Sequence, residues 1–78
     1  MSVNNKFAVC IFAEKEMLIT PRKIYQVLRD KSAERSDYIR VIDDEGEDYL
    51  YPKKYFVLVP VSRDIENALL QVAQFHAI

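Results

Sequence analysis

The sequence predicts a mainly β domain, a small antiparallel barrel of about five short strands followed by a C-terminal α-helix. Three observations lead to this fold class. Short β-branched and aromatic runs recur along residues 6–61 without a helical pattern between them. The only glycine, Gly46, lies between two of these runs, where a tight turn is needed. After Pro60 the apolar spacing becomes that of a helix.

The strands are predicted from apolar runs bounded by polar or turn-forming residues. These runs cover residues 6–13, 17–20, 23–30, 38–43, 48–52 and 57–61. Pro21 interrupts the second run, and in the third run Tyr25 and Val27 share one face. Residues 31–37 (KSAERSD) are polar and are predicted to be a loop. Pro60 restricts the last strand to an edge or to a strand end.

Residues 62–76 are predicted to form the helix. Ser62 is a good N-cap, and Asp64 and Glu66 lie in the first turn, where the helix dipole favours acids. The apolar residues that recur at helical spacing are Ile65, Leu69, Val72 and Phe75. Residues 1–78 are thus interpreted as one domain, with a barrel over residues 6–61 and a helix over residues 62–76.

The acidic segment DDEGED, residues 43–48, has two interpretations. In the first, Asp44 and Glu45 form a type I turn and Gly46 takes the left-handed conformation of a G1 bulge, so that the acids are the solvated tip of a hairpin. In the second, the acids bind calcium. A loop of the EF-hand type alternates its ligands over about twelve residues between two helices, whereas here strands flank a shorter segment. The spacing therefore favours the turn.

The strand after this segment, DYLYP, leaves open which way its tyrosines face. Tyr49 and Tyr51 alternate onto one face and Leu50 onto the other. Either the rings fill part of the core with their hydroxyls at its rim, or they form an exposed aromatic strip that binds a ligand. A buried tyrosine needs a partner for its hydroxyl, so we favour the core-and-rim arrangement.

Within residues 18–61, the acidic turn is followed at short spacing by the segment PKKY, residues 52–55. Pro52 and Tyr55 of this segment resemble the Pro and Tyr of the single 3₁₀ turn in an SH3-like barrel, and Gly46 falls at the distal hairpin of that layout. The resemblance implies an SH3-like small barrel. It does not imply proline-peptide binding, because the chain has no tryptophan, and Asp37 and Tyr38 stand where that residue would fall. The segment RVIDDEGEDYLYP is also similar to short uncharacterised bacterial proteins.

Length and composition place the chain among globular domains. Its 78 residues are 50% hydrophobic and 29% charged, which suits one small folded domain. The single cysteine, Cys10, excludes an internal disulfide and fits a reducing cytoplasm. The apolar run at residues 7–13 is too short to span a membrane, and the sequence lacks a signal-peptide cleavage site. We therefore expect a soluble cytoplasmic protein without a membrane partner.

The sequence offers no residue set for catalysis or metal binding. His76 is the only histidine and Cys10 the only cysteine, so one chain cannot build a zinc site. Cys10 lies in the apolar run FAVCIFA without a cationic helix end to lower its pKa, and we interpret it as a packing residue. One glycine cannot form a glycine-rich phosphate loop. We predict no enzyme activity, no metal and no cofactor.

The predicted function is a non-enzymatic protein-interaction or accessory module. Leu70 and Ala73 widen the apolar face of the helix beyond what one barrel edge would cover. Three roles are open for this face: it plugs the open end of the barrel, or it forms a dimer interface, or it binds another protein. Because the core of so short a chain is small, we expect self-association through the helix and residues 7–12, or an unidentified protein partner.

The alternative function is a small nucleic-acid-binding barrel with a basic and aromatic edge. The net charge of −1 and the acidic turn weaken this alternative, because attraction to phosphates dominates nucleic-acid affinity. The residues predicted to take part in one or other interaction are Tyr51, Lys53, Lys54, Tyr55, Ile65, Leu69, Val72 and Phe75.

Overall fold

The computed structural model describes the backbone of residues 7–75 and the side chains of residues 7–71. This part of the chain contains β1 (Phe7–Cys10), β2 (Ile24–Leu28), α1 (Lys31–Glu34), β3 (Tyr38–Ile42), β4 (Asp48–Pro52), a 3₁₀ turn (Lys53–Tyr55), β5 (Phe56–Val59) and α2 (Arg63–Phe75). The prediction of a mainly β chain with a C-terminal helix is confirmed. The 3₁₀ turn falls on the PKKY segment, as predicted.

The five strands form one antiparallel sheet in the order β4-β3-β2-β1-β5. Within it, β1 pairs with a strand on each side: Val9 lies opposite Ile24 of β2 and opposite Val57 of β5. The hairpin of β3 and β4 places Ile42 opposite Asp48. Since β5 is an end strand of this order and stops before Pro60, the predicted restriction on that strand is confirmed.

The core lies on the face of the sheet that carries the side chains of Ala8 and Cys10. Its tightly packed residues are Ala8, Cys10, Ile19, Tyr25, Ile39, Val41, Tyr51, Tyr55 and Phe56. The ring of Phe56 meets those of Tyr25 and Tyr51 edge to face, at centroid distances of 6.1 and 6.2 Å. Burying each large apolar side chain contributes roughly 1.5–3 kcal/mol, so the packing of these residues stabilises the fold.

The connection between β1 and β2 corrects two strand predictions. β1 ends at Cys10 rather than at residue 13, and residues 17–20 do not form a strand. Ile19 from this segment is nonetheless buried in the core. The carbonyl oxygen of Leu18 accepts a hydrogen bond from the N–H of Asp44 at 2.8 Å. The apolar run was therefore a correct sign of burial at Ile19, but hydrogen bonds to Asp44 and Tyr25 hold the segment where a strand ladder was predicted.

The same connection contains a tight turn that the sequence did not reveal. The N–H of Lys23 donates to the carbonyl oxygen of Thr20 at 3.2 Å, with Pro21 and Arg22 as the central residues. Arg22 has a φ of 77°, as the third position of a type II turn requires. Glycine is the usual residue at such a position. A charged residue at the third position does not indicate a chain reversal, so the sequence pattern did not predict this turn.

Residues 31–37, predicted to be a loop, begin with the single helical turn α1. Asp30 caps it, because its Oδ1 accepts a hydrogen bond from the N–H of Ala33 at 3.0 Å. Ala33 is the only buried side chain of α1. One apolar residue cannot produce helical spacing, which is why the pattern did not predict this helix.

Two local predictions are confirmed. Gly46 has a φ of 82°, and its N–H donates to the carbonyl oxygen of Asp43 at 3.0 Å, which closes the turn between β3 and β4. The Oγ of Ser62 accepts a hydrogen bond from the N–H of Ile65 at 3.2 Å, which makes Ser62 the N-cap of α2. Residue 76, the predicted end of the helix, lies outside the described residues.

Candidate interaction surface

The face of the sheet opposite the core carries a row of aliphatic side chains. We call four of them the aliphatic stripe: Val9, Ile11, Ile24 and Val57. Because Ala8 and Cys10 point into the core, Val9 and Ile11 point the other way. Val9 is the centre of the row, directly opposite Ile24 and Val57. Ile11, Ile24 and Val57 are 56%, 47% and 51% exposed, and Val9 is half-buried.

The strands that build the aliphatic stripe have no charged side chain. The sequences of β1, β2 and β5 are FAVC, IYQVL and FVLV, in a chain that is 29% charged overall. Phe7, on the same face, is buried, so exposure on this face increases from Phe7 through Val9 to Ile11, the residue after β1. Side chains paired across neighbouring strands lie about 5 Å apart. The stripe is thus a continuous, uncharged and half-exposed patch of the kind that binds other proteins.

A polar network holds the chain immediately before Ile24. Oδ1 of Asp44 accepts hydrogen bonds from the hydroxyl of Tyr25 at 2.6 Å and from Nζ of Lys23 at 2.8 Å. Oδ2 of Asp44 accepts from the hydroxyl of Thr20 at 2.8 Å. The hydroxyl oxygen of Tyr25 accepts from the N–H of Thr20 at 2.6 Å. These bonds tie the acidic turn to the start of β2 and so help to fix the position of Ile24 in the stripe.

The network shifts the pKa values of two of its members. Burial and the hydrogen bond to Asp44 raise the pKa of Tyr25 to about 12. Burial acts to raise the pKa of Asp44, but the hydrogen bonds from Lys23, Tyr25 and Thr20 outweigh it and hold that pKa below its usual value. At neutral pH the network therefore consists of a neutral phenol and a charged carboxylate.

A second tyrosine–carboxylate pair holds the chain as it leaves β1. The hydroxyl of Tyr55 donates to Oε2 of Glu14, and this bond is the main reason why the pKa of Tyr55 is raised. The ring of Tyr55 meets that of Phe12 edge to face at a centroid distance of 4.9 Å. The N–H of Ile11 donates to the carbonyl oxygen of Tyr55 at 2.8 Å. Tyr55 thus holds Ile11, the outermost residue of the stripe, and the next residue, Phe12.

The acidic turn is only partly the solvated tip that the sequence predicts. Asp43 is 5% exposed, and its Oδ1 accepts hydrogen bonds from the N–H groups of Glu45 and Glu47 at 2.9 and 3.1 Å. Asp43 is buried because it satisfies the backbone of the turn from inside, while Glu45 and Glu47 are exposed. Within the described residues, no three acidic, histidine or cysteine side chains are placed to hold a metal ion.

The predicted basic and aromatic edge separates into buried rings and exposed lysines. Tyr51 and Tyr55 are 7% and 6% exposed, whereas Lys53 and Lys54 in the 3₁₀ turn are exposed. The core-and-rim prediction is therefore confirmed for the ring of Tyr51. It is wrong for Tyr49, which is half-exposed because it lies at the hairpin end of β4, an end strand of the sheet.

The candidate residues of α2 are described in part. Ile65 is 52% exposed, and Leu69 and Leu70 are half-buried. The side chains of Val72 and Phe75 lie outside the described residues, so the predicted apolar face of this helix stays a prediction. In the described part of α2, Ile65 is the large apolar residue that faces water.

Cys10 is a packing residue, as the sequence predicts. It is fully buried, and its thiol donates to the carbonyl oxygen of Phe12 at 3.2 Å. Burial raises the pKa of Cys10. The side chain is consequently a neutral thiol at physiological pH, which is a poor nucleophile.

The sequence predicts only half of the aliphatic stripe. The predicted surface at residues 7–12 includes Val9 and Ile11 but not Ile24 and Val57. A two-residue alternation in β2 and β5 was the available signal. It does not tell which strands are neighbours or which face the core covers, and both facts are needed to see a continuous patch.

No protein-family model, curated protein or solved structure matches the chain. Among the described helices, none combines the length and the apolar character needed to cross a membrane.

Proposed function

We propose that this chain is a non-enzymatic protein-interaction or accessory module that binds protein through the aliphatic stripe. The observation that carries the proposal is the row Ile24–Val9–Val57, in which three strands without charged side chains place aliphatic groups side by side in water. A fully buried Val or Ile contributes roughly 1.5–3 kcal/mol, so covering half-exposed groups recovers a good part of that free energy. The polar networks at Tyr25 and Tyr55 keep both flanks of the stripe in place before a partner arrives.

The scaffold in this proposal is an SH3-like barrel. Its support is the order of features along the chain: a central hairpin that turns at Gly46, the 3₁₀ turn Lys53–Tyr55, and then β5 as a closing strand. Proline-peptide binding is not part of the proposal, because the chain has no tryptophan and the ring of Tyr55 is buried.

The proposal assigns the chain no catalytic role and places it in the cytoplasm. A buried, neutral thiol at Cys10 is not suited to attack a substrate. A single cysteine kept as a free thiol inside the core is typical of proteins in reducing compartments.

Site-specific photo-crosslinking tests the proposal. The photoreactive amino acid benzoyl-phenylalanine replaces either Ile24 or Val57 of the full chain in the cells that produce it, and irradiation is followed by mass spectrometry. We expect discrete protein adducts at both positions. The matched control places the same amino acid at Glu45, which is exposed but lies in the acidic turn. Equal or absent adduct formation at positions 24, 57 and 45 would refute binding through the stripe.

Nucleic-acid binding remains the second candidate because Lys53 and Lys54 are adjacent and exposed. An electrophoretic shift with short single-stranded RNA or DNA, measured at several salt concentrations, tests it. A salt-dependent shift that disappears in the double variant Lys53→Glu/Lys54→Glu would favour this candidate. The absence of any shift at low salt would eliminate it.

A further inference from the structure

We infer that the partner of the aliphatic stripe is a second copy of this chain, which pairs antiparallel with β5 about a two-fold axis at Val57. This inference rests on the proposed function, because it names the occupant of the same surface. Three observations carry it: the backbone groups that β5 turns away from the sheet, the absence of charge along this strand, and the charges at its two ends.

In the register of β1 and β5, one edge of β5 pairs with β1, and the backbone groups at its other edge pair with no described strand. Since the N–H of Ile11 donates to the oxygen of Tyr55, the backbone groups of Val57 also point toward β1, by the alternation of an antiparallel ladder. Those of Leu58 point away, and so does the carbonyl of Phe56. No described strand pairs with β5 on that side.

The two ends of the sheet differ in how well they are protected against pairing. The other end strand, β4, begins with Asp48 and ends with Pro52, and charges and prolines are what natural proteins use to block an exposed edge. β5 has the sequence FVLV, with neither a charge nor a proline. An edge of this kind is a template for another strand.

A two-fold axis at Val57 joins these features in one interface. The N–H of Leu58 then donates to the oxygen of the partner's Phe56, and the reciprocal bond forms by symmetry. Val57 lies directly opposite the partner's Val57, so the row Ile24–Val9–Val57 continues into the same row of the second copy. The ladder stops at Pro60, which has no N–H to donate.

The charges at the ends of β5 are complementary in this arrangement. Lys53 and Lys54 precede the strand, while the first turn of α2 after it contains Asp64 and Glu66 beside one cation, Arg63, so its net charge is negative. Antiparallel pairing brings the basic end of β5 in one copy close to the start of α2 in the other copy. Exposed pairs of this kind add little affinity, but they favour the antiparallel orientation over the parallel one. An uncharged peptide would not gain this attraction between oppositely charged ends.

Amide hydrogen exchange on the unmodified chain is the first test. We expect the N–H of Leu58 to exchange rapidly in dilute protein and slowly at concentrations where sedimentation shows a dimer. The N–H of Val57, bonded within the sheet, should be protected at every concentration and serves as the internal control. Protection of Leu58 that does not change with concentration would overturn the inference, because another part of the same chain would then cover the edge.

The second test compares the substitution Val57→Lys with Tyr49→Lys by sedimentation equilibrium. Both replace a half-exposed side chain, but Tyr49 lies on β4, away from the proposed axis. Because two lysines would meet at the axis, we expect Val57→Lys to raise the dissociation constant about 100-fold or more and Tyr49→Lys to leave it within about 3-fold. A monomer at all concentrations, or a dimer indifferent to Val57→Lys, would overturn the inference.

The crosslinking experiment separates this inference from the proposed function. Adducts at position 57 with twice the mass of the chain support the second copy. Adducts only with a different protein keep the proposed function and overturn the dimer. No adducts at positions 24 and 57 overturn both.

Discussion

The hydroxyl of Tyr25 donates a hydrogen bond to Oδ1 of Asp44 at 2.6 Å, across 19 residues of sequence. One partner lies on β2 and the other in the turn between β3 and β4. The bond therefore joins the acidic segment to the strand that carries Ile24 of the aliphatic stripe. It also gives Asp44 a role distinct from that of Asp43, whose carboxylate accepts hydrogen bonds from the backbone of the turn.

Stability should fall at alkaline pH, in part because of Tyr25. Burial and Asp44 raise the pKa of Tyr25 to about 12, above its usual value of 10, so the fold favours the neutral phenol. The resulting stabilisation is complete below pH 10 and is lost as pH rises through 12. Urea unfolding followed from pH 8 to pH 12 should show this loss.

The variant Tyr25→Phe should show a shallower alkaline decline than the wild type. At pH 7 it should be less stable by about 1–3 kcal/mol, because Thr20 and Asp44 each lose a hydrogen-bond partner. The control Tyr38→Phe removes a half-exposed hydroxyl outside the network and should keep the wild-type decline. Identical alkaline profiles for Tyr25→Phe and the wild type would contradict the assignment.

Asp44 should stabilise the fold at neutral pH and lose this effect in acid. Its pKa in the folded chain lies below the usual 3.8, so its contribution is present above pH 3.8 and disappears as pH falls through the folded value. Asp44→Asn should cost about 1–3 kcal/mol at pH 7 and much less at pH 2, as measured by urea unfolding. Glu45→Gln, in the exposed part of the same turn, is the control. A difference that stays constant with pH would argue against this role.

Arg22→Gly should stabilise the chain. The φ of 77° at Arg22 costs a residue with a Cβ roughly 1–2 kcal/mol, and glycine avoids this cost while losing about 0.5–1 kcal/mol of chain entropy. The expected net gain is about 0.5–1 kcal/mol in the free energy of unfolding. Arg22→Ala retains the Cβ and should not be stabilised. Equal stabilities of the glycine and alanine variants would show that the backbone at this turn is unstrained.

Gly46→Ala should destabilise the hairpin by about 1 kcal/mol through the backbone alone. The φ of 82° is unfavourable for alanine, yet no atom lies within 4 Å of the position its Cβ would occupy. Gly46→Asn should therefore recover part of the loss, because asparagine tolerates this conformation better. Thermal unfolding of both variants measures the effect. If the asparagine variant were the less stable of the two, steric contact rather than φ would be the cause.

Several elements could be predicted from the sequence because their signals are local. Gly46 satisfies a positive φ that few other residues accept, and Ser62 caps a helix whose apolar spacing is visible over about three turns. The strand Asp48–Pro52 has the predicted bounds because a turn on one side and a proline on the other define it. In contrast, α1 has one buried apolar residue and so shows no helical spacing, and the turn at Arg22 has a charged residue where glycine is usual, so pattern alone missed both.

The sequence by itself determined a mainly β chain, one glycine-dependent hairpin and a capped C-terminal helix. Only the tertiary structure decided that Asp43 is buried, that Tyr51 is in the core while Tyr49 is not, and that Val9, Ile24 and Val57 meet in water. The physical reason is that turns and helix caps depend on a few consecutive residues. Burial and cross-strand contact depend instead on which distant segments pair, and strand alternation does not encode that choice.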